Sequence, residues 1–445
     1  MGDAGSKCGG TRKEEEARML QQHSNQGHGH HHENVKHQSR VIEDGDHAPL
    51  SLSHGRASTG LFGVAALLVQ TALTVAFFFT GYDLTSLTVF NSSQAYDFYV
   101  AIGVMLFVGF GYLFTFLKSY GIGALGFTMF MGCLGLQWTL LLQGWMRTGD
   151  YHLTFHVVSF IRANQGVAAV LVSFGALLGK TSPLQVLFLT LLGGACVTAN
   201  KVYIIDAFLV KDVGCTYSVH LFGALFGVCA SMVCSRGITI NEELLSSTYS
   251  SDINSLLGTV FLWLFWPCFT AGDLTMGTAQ QKLALMNTIF ALVGSTVTTY
   301  AVSNLLSATK RLTTIPIQMA TLSGGVAIGA VCNYQVLPGG AVLIGMGAGA
   351  LSTFSFTYLH NFLPDTYDTA GVMSLHGIPG VFGAVVSILL PFLKPVELDP
   401  SAQALGLGCV CLAAVVSGGI TGFILSKCGQ PAVAYNDEAY WDVAT

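Results

Sequence analysis

Residues 212–220 read DVGCTYSVH, and residues 368–376 repeat the same frame as DTAGVMSLH. Each stretch places an aspartate eight positions before a histidine, and each continues into a glycine-rich apolar segment. At the helical rise of about 1.5 Å per residue, each histidine lies roughly 12 Å along a helix from its aspartate, close to the middle of a ~30 Å hydrocarbon layer. The repeated frame therefore predicts two histidines, His220 and His376, at matched depth in a membrane.

The composition is typical of a polytopic membrane protein. Apolar residues make up 52% of the 445 residues and charged residues only 10%. From residue 61 onward, apolar runs repeatedly reach the ~20 residues that span a bilayer. A net charge of -5 spread over this length predicts no nucleic-acid-binding surface. Most of the eleven cysteines lie within apolar runs without framework spacing, which favours small buried thiols over disulfides or metal ligands.

The first 58 residues have a different composition from the rest of the chain. They hold eight of the thirteen histidines amid polar and charged residues. Such a segment has too little apolar surface to fold alone. We predict a disordered, histidine-rich cytoplasmic tail at 1–58, a transmembrane channel domain at 59–428 and a short cytoplasmic tail at 429–445.

Apolar runs and the turn residues between them predict twelve membrane spans. The spans lie at about 60–80, 99–117, 122–145, 163–179, 184–209, 213–235, 253–271, 283–308, 314–337, 340–359, 369–392 and 404–426. An even count places both termini on one side, and the basic N-terminal tail favours the cytoplasmic side. Asn91 carries the only Asn-x-Ser/Thr sequon, and this orientation places it outside as a predicted glycosylation site.

With this span order the two frames enter the membrane from opposite faces. Asp212 stands at the outer start of the sixth span, and Asp368 stands at the inner start of the eleventh. We therefore predict an all-α polytopic membrane fold of twelve helices, in which spans 2–6 and 7–11 form a five-plus-five inverted repeat around a central pore. Such repeats place the transport site near the midplane, on the pseudo-two-fold axis.

The glycines predict close packing between these helices. Fifty-two glycines recur in frames of small residues four apart, such as Gly223 with Gly227 and Gly418 with Gly422. In a membrane this spacing lets helix backbones approach closely. The pattern concerns packing and does not by itself identify a solute.

The frame residues also have structural explanations. A single intramembrane histidine is often a satisfied core residue, whereas two in repeated frames favour a functional site. Asp212 and Asp368 stand at helix starts, where a carboxylate acts as a cap more often than as a proton carrier. No nucleophile, zinc or paired-aspartate motif accompanies them, so we predict no catalytic site, no metal site and no cofactor.

Several blocks of sequence carry a family resemblance. They are VKD at 210–212, SLHGIPG at 374–380, IQMATLSGGVA at 317–327, VGFG at 108–111, QGW at 143–145, LWLFWP at 262–267 and GQP at 429–431. Together these blocks resemble the Rhesus glycoproteins of the ammonium transporter superfamily. The resemblance runs from residue 61 to about 442 and includes an additional first span. The resemblance implies a trimer whose subunits each pass neutral ammonia through a narrow hydrophobic pore, after recruiting ammonium and deprotonating it at the outer mouth.

The resemblance also implies roles for the frame residues. His220 and His376 match the twin pore histidines of the family, whose rings touch in the lumen. Asp212 matches the acidic residue behind the outer recruitment region, and Asp368 is its inner counterpart. Retention of both histidines implies transport rather than a scaffold role alone.

Other implied site residues are aromatic, and two positions depart from the family pattern. Phe269 matches a phenylalanine of the outer gate, and Phe110 and Trp266 are candidate pore-lining residues. The second outer phenylalanine falls at Gln165, which would make the gate half polar. Lys201 stands where relatives commonly carry an acid, which would weaken cation recruitment.

Physical chemistry supports a neutral solute, but other functions stay open. Moving an ammonium ion into a low-dielectric slab costs on the order of tens of kcal/mol, whereas ammonia gives up only a few hydrogen bonds. Two neutral imidazoles offer a donor and an acceptor without a fixed charge. The expected partners are ammonia or ammonium, the lipid bilayer of the plasma membrane and two further copies of the chain. The alternatives are a channel for carbon dioxide or another small gas, a proton-coupled transporter of ammonium or methylammonium, and a non-transporting scaffold.

Overall fold

The computed structural model describes residues 48–83, 92–238, 240–359, 362–364, 366–429, 431 and 433–443. Residues 1–47 of the predicted tail and Asn91 lie outside these ranges, and the description below concerns the unit Gly55–Thr445. Within the described residues, eleven helices are long and apolar enough to cross a membrane, and a twelfth apolar helical segment is shorter. They are α1 (Ala48–Phe77), α2 (Gln94–Phe116), α3 (Gly121–Thr148), α4 (Val157–Leu177), α5 (Pro183–Asp206), α6 (Thr216–Cys234), α7 (Tyr249–Ala271), α8 (Ala279–Leu306), α9 (Thr314–Ile328), α10 (Pro338–Tyr358), α11 (Met373–Leu393) and α12 (Pro400–Ser426).

These twelve segments correspond to the twelve predicted spans. The additional first span, α1, is joined to α3 by a reciprocal pair of amide hydrogen bonds between Gln70 and Gln137, at 2.8 and 3.1 Å. Two short strands, β1 (Gly81–Tyr82) and β2 (Thr154–Phe155), pair in parallel between the loops that follow α1 and α3. In the rest of the described residues, all regular secondary structure is helical.

The two halves of the inverted repeat bind each other through matching backbone contacts. The Gly214 N–H donates to the Gly329 carbonyl at 2.9 Å, and the Ala370 N–H donates to the Gly175 carbonyl at 3.1 Å. In each case the loop before a histidine-bearing helix binds the opposite half of the molecule. This exchange is what a two-fold relation between the halves produces, because it ties the loop before α6 to the end of α9 and the loop before α11 to α4.

The ninth segment is shorter than the predicted span at 314–337. Helix α9 ends at Ile328, and turns follow it. Carbonyl groups in this region are bound by other elements: the Thr216 hydroxyl donates to the Val326 carbonyl at 2.7 Å, and the Asn287 amide donates to two carbonyls of the turns at 2.8 Å. Because these acceptors are satisfied from outside, the chain can leave the helix here without stranding buried polar groups.

Four spans contain a π-helical turn. These turns are Met105–Phe110 in α2, Lys201–Asp206 in α5, Thr216–Leu221 in α6 and Met373–Gly377 in α11. Both frame histidines lie inside such a turn. Since π-helical turns inside α-helices are frequent at functional sites, their position marks the same two helices as the sequence repeat.

The predicted close packing at glycine is confirmed. On α12, Gly418 and Gly422 lie against the backbone of α6, where an added Cβ would collide with the carbonyl oxygens of Phe226 and Ala230. The helices therefore approach more closely at these positions than any side chain permits.

The C-terminal segment is bound to the ends of two helices. The Tyr435 N–H donates to the Gly179 carbonyl at 2.7 Å, just beyond α4. The Asp437 carboxylate accepts the N–H groups of Ile122 at 2.8 Å and Gly123 at 2.6 Å, which are free donors at the start of α3. The segment thus caps one helix and is tied to the other.

Candidate pore site

The two frame histidines meet at the centre of the bundle. His220 comes from α6 and His376 from α11, and each is 1% exposed. Their ring centroids are 5.1 Å apart and their planes differ by 8°. At that separation, near-parallel rings lie offset from each other rather than face to face. The repeated sequence frame and the two-fold exchange between halves together place the imidazoles in contact.

Three aromatic residues surround this pair, and the Trp266 ring lies beside both histidines, 6.3 Å from His376. The Trp266 ring lies 5.3 Å from His220 at an interplanar angle of 24°, and Phe269 lies 5.8 Å from His220. On the other side, the Phe110 ring lies 6.3 Å from His376 at 25°. All three aromatic side chains are buried. The structure therefore brings the five predicted site residues into one cluster of rings.

Trp266 owes its position to a glycine that sequence reasoning did not single out as a site residue. Gly325 of α9 lies under the indole, and a Cβ there would approach the Trp266 Nε1 to 2.5 Å. Any larger residue at 325 would move the indole away from His220. The sequence has glycines four apart at 325 and 329, but such a frame indicates packing without identifying what packs there.

Several ring nitrogens in this cluster are buried without a hydrogen-bond partner among the described residues. Among the described residues, no protein group hydrogen-bonds Nδ1 or Nε2 of His220, Nδ1 of His376 or Nε1 of Trp266. Leaving such a group unsatisfied costs about 1–3 kcal/mol. A small solute that carries both a donor and an acceptor can satisfy these atoms, whereas a purely apolar solute cannot.

The frame aspartates have a different environment. Asp212 is 4% exposed and accepts the Tyr217 N–H at 3.0 Å, the Ser218 N–H at 2.8 Å and the Ser218 hydroxyl at 2.7 Å. Asp368 likewise accepts two backbone N–H groups at the start of α11, at 2.8 and 2.9 Å. Burial raises the pKa of the Asp212 carboxyl, while the charge of Lys201 and these hydrogen bonds act in the opposite direction. Both carboxylates are directed at backbone donors.

A vestibule opens beside Phe269. Gln165, the predicted second gate position, is 7% exposed and donates to the Phe269 carbonyl at 3.3 Å. Residues from several helices and loops line the vestibule. They include Arg147, Arg162, Gln165, Lys201, Ser218 and Asp273. The predicted gate residue and the predicted departure at Lys201 therefore line one cavity.

Charged residues of the vestibule form ion pairs. Asp206 binds both Arg147 at 2.7 Å and Lys201 at 3.4 Å, and Asp273 binds Arg162 at 2.5 Å. The two arginines come from different helices, Arg147 from α3 and Arg162 from α4. Their convergence depends on how the end of α3, the start of α4 and the end of α5 lie next to each other, which no local pattern in the sequence reveals.

Comparison with known proteins places this arrangement in a family. The model of the Ammonium Transporter Family matches residues 61–438. "Ammonium transporter Rh type A" of Mus musculus is 37% identical over 358 residues, which cover 79% of this chain and 82% of that protein. "Ammonium transporter Rh type C" of Oryctolagus cuniculus is 37% identical over 369 residues, covering 77% and 79%.

Solved structures give the same result. Nitrosomonas europaea Rh50 is 31% identical and superposes with a TM-score of 0.72, covering 80% of this chain and 93% of that chain. Mep2 of Saccharomyces cerevisiae is 16% identical with a TM-score of 0.63, covering 76% and 86%, and supports the fold alone. From its family match and its Rh-type relatives, this chain belongs to the ammonium transporter family, in the Rhesus branch.

Proposed function

We propose that this protein is a membrane channel that conducts neutral ammonia past His220 and His376. Its similar relatives are named ammonium transporters, and the similar Rh50 structure is described as a channel of the Rhesus family. The observation that carries the proposal is the buried pair of near-parallel imidazoles with unpartnered ring nitrogens. The same family membership supports a transport function rather than an enzymatic one.

Charge explains why the neutral molecule is the solute that crosses. The path beside the histidines is lined by Phe110, Trp266 and Phe269, so a cation there would lose its hydration without gaining a carboxylate. That loss costs on the order of tens of kcal/mol in a low-dielectric medium, whereas ammonia loses only a few hydrogen bonds. The proton of ammonium therefore has to stay behind.

The histidines offset part of the remaining cost. A neutral imidazole has one N–H donor and one lone-pair acceptor, and ammonia can use both. Because His220 and His376 lie 5.1 Å apart, ammonia leaving one ring meets the next at once. The pair lowers the dehydration barrier without a fixed charge that would trap a cation.

The proposed assembly, location and substrate analogue are supported by the family resemblance and by the predicted orientation of the chain. We propose a homotrimer in the plasma membrane, with cytoplasmic N- and C-termini. Methylammonium would serve as a substrate analogue. Asp212 and Asp368 would hold the starts of the histidine-bearing helices rather than carry protons.

Stopped-flow measurements on proteoliposomes test this function. Ammonia and carbon dioxide entry would be compared in protein-free vesicles and in vesicles with the wild type, His220→Phe or His376→Phe. The exposed His152 offers a matched control as His152→Phe. We expect the wild type and the control to raise ammonia permeability, and both pore variants to lose most of that increase, because the larger ring removes the polar nitrogens and fills the path.

Two outcomes would contradict the proposal. One is an ammonia permeability of both pore variants equal to that of the wild type, when all variants are monodisperse. The other is a protein-dependent entry of carbon dioxide without any protein-dependent entry of ammonia. A substrate-dependent current across a clamped membrane would instead support proton-coupled transport.

A further inference from the structure

We infer that the vestibule beside Phe269 disfavours ammonium, and that Lys201 is the residue that sets this charge preference. The inference rests on the proposed function and concerns which protonation state of ammonia reaches the pore. In this chain the neutral molecule enters directly, and capture of the cation at the mouth contributes little.

Basic residues outnumber acidic ones among the residues that line the vestibule. Arg147, Arg162 and Lys201 line it, together with Asp273. Asp273 is bound to Arg162, and Asp206 is shared between Arg147 and Lys201. Three cations therefore share two carboxylates, and an arriving ammonium ion would have to compete with a side-chain cation for either one.

The remaining acid in this region, Asp212, makes the number of acids equal to the number of cations, but it is not accessible to an arriving ion. Asp212 is buried, and its carboxylate already accepts three hydrogen bonds from Tyr217 and Ser218. It is not among the residues that line the vestibule. The negative charge of Asp212 lowers the local electrostatic potential. Its carboxylate oxygens, however, are not available for contact with an ammonium ion.

The vestibule also lacks an aromatic face for a cation. None of the described residues that line it is aromatic, and Gln165 occupies the position beside Phe269. Attraction of a cation to a ring face, worth roughly 0.5–2 kcal/mol, is therefore missing at this mouth. Gln165, Thr198 and Ser218 line the cavity with neutral polar groups, which can hydrogen-bond ammonia without regard to charge.

Among the charged residues that line the vestibule, Lys201 is the most informative position to test. Its side chain is 27% exposed, so its charge acts on the cavity as well as on Asp206. Replacing it with glutamate changes the local charge by two units. By Coulomb's law at the high effective dielectric of a wet cavity, a nearby cation should then bind roughly fivefold more tightly.

The experiment measures uptake of radiolabelled methylammonium into proteoliposomes at pH 6, where the cation predominates. Wild type would be compared with Lys201→Glu and with Lys201→Gln, and the exposed Lys211 would serve as a charge-matched control as Lys211→Glu. We expect the concentration for half-maximal uptake to fall roughly fivefold in Lys201→Glu and less in Lys201→Gln. Lys211→Glu should match the wild type, and the differences should shrink at high salt, which screens charges beyond about 3 Å at 1 M.

A second readout is the pH dependence of the rate. At a fixed total ammonia concentration the wild-type rate should rise about tenfold per pH unit, in step with the neutral fraction. Lys201→Glu should show a shallower rise of rate with pH. The glutamate would bind ammonium at the vestibule, and this binding adds most to the rate at low pH, where the cation predominates. Thermal melting of each variant in detergent establishes that the compared proteins are folded.

The outcomes separate this inference from the function on which it rests. If wild-type vesicles admit ammonia no faster than protein-free vesicles, the proposed channel function is wrong, and the inference falls with it. If the wild type conducts but both Lys201 variants keep the wild-type concentration dependence, only the inference is overturned. An equal shift in Lys211→Glu also overturns it, since general surface charge would then be the cause.

Discussion

His220 and His376 are as buried as the leucines around them, yet several of their ring nitrogens have no protein partner among the described residues. Asp212 and Asp368 are buried to a similar degree, but each carboxylate is bound by backbone donors. This contrast separates two roles within one repeated frame. The aspartates stabilise the starts of the helices, and the histidines keep hydrogen-bonding capacity that the fold itself does not use.

The first residue-scale prediction concerns Asp212. Asp212→Ala should lower the melting temperature clearly, since it leaves two buried backbone N–H donors without an acceptor at about 1–3 kcal/mol each. Asp212→Asn retains one acceptor oxygen and should lose roughly half as much. Thermal melting in detergent measures both. The control is Asp150→Ala, at an exposed aspartate that accepts only the His152 N–H, and an equal loss in all three variants would refute the capping role.

The second residue-scale prediction concerns Gln165. Gln165→Phe should place an aromatic face beside Phe269 and improve cation binding at the vestibule by roughly two- to fivefold, as expected for an exposed cation–aromatic contact. Methylammonium uptake at pH 6 measures it. Gln165→Leu removes the amide without adding a ring and should show no such gain. Identical behaviour of the two variants would mean that the amide, and not the missing ring, controls the mouth.

At the scale of helices, close approach and π-helical turns position the site. The turns in α6 and α11 contain the histidines, and the loops before these helices bind the opposite half. Glycine contacts then bring α12 against α6 and α9 under the Trp266 indole. Small side chains thus decide where the large rings can lie.

The element-scale prediction compares two adjacent glycines of α12. Gly418 lies against the Phe226 carbonyl, whereas Gly419 has open space within 4 Å. Gly418→Ala should destabilise the protein by about 1–3 kcal/mol through overpacking. Gly419→Ala should be neutral or gain up to about 1 kcal/mol of helix propensity. Relative melting temperatures test this, and a larger loss at 419 than at 418 would contradict the α6–α12 contact.

At the scale of the whole molecule, the two halves are related by the inverted repeat, yet the two ends of the pore differ. One end has the charged vestibule around Lys201, and the other has Phe110 beside His376. The halves share backbone geometry and exchange equivalent contacts, but their side chains have diverged. The orientation of the chain therefore decides which charge environment faces which side of the membrane.

The molecular-scale prediction is that the vestibule faces outward and that both termini are cytoplasmic. In a eukaryotic host, glycosidase treatment should increase the gel mobility of the wild type but not of Asn91→Gln. Epitope tags at the two ends should bind antibody only after permeabilisation, because the basic N-terminal tail stays in the cytoplasm. A tag that is accessible on intact cells would overturn this orientation.

Much of this architecture could be read from local pattern. Apolar runs of bilayer length predict the twelve segments, and the repeated frame predicts two related histidine helices, because both signals are carried by neighbouring residues. The end of α9 at Ile328 was not predictable in this way. It depends on Asn287 and Thr216, which bind carbonyls from distant parts of the chain.

By itself, the sequence determined that the chain is a membrane protein, that it contains a repeat, and that His220 and His376 are its candidate site residues. Hydropathy and spacing are local properties, so neighbouring residues carry these signals. Only the tertiary structure decided that the two rings lie 5.1 Å apart, that Gly325 makes room for Trp266, and that Lys201 shares Asp206 with Arg147. The physical reason is that ring contacts and shared ion pairs depend on how separate helices cross. Such crossings are set by close packing of residues far apart in the chain.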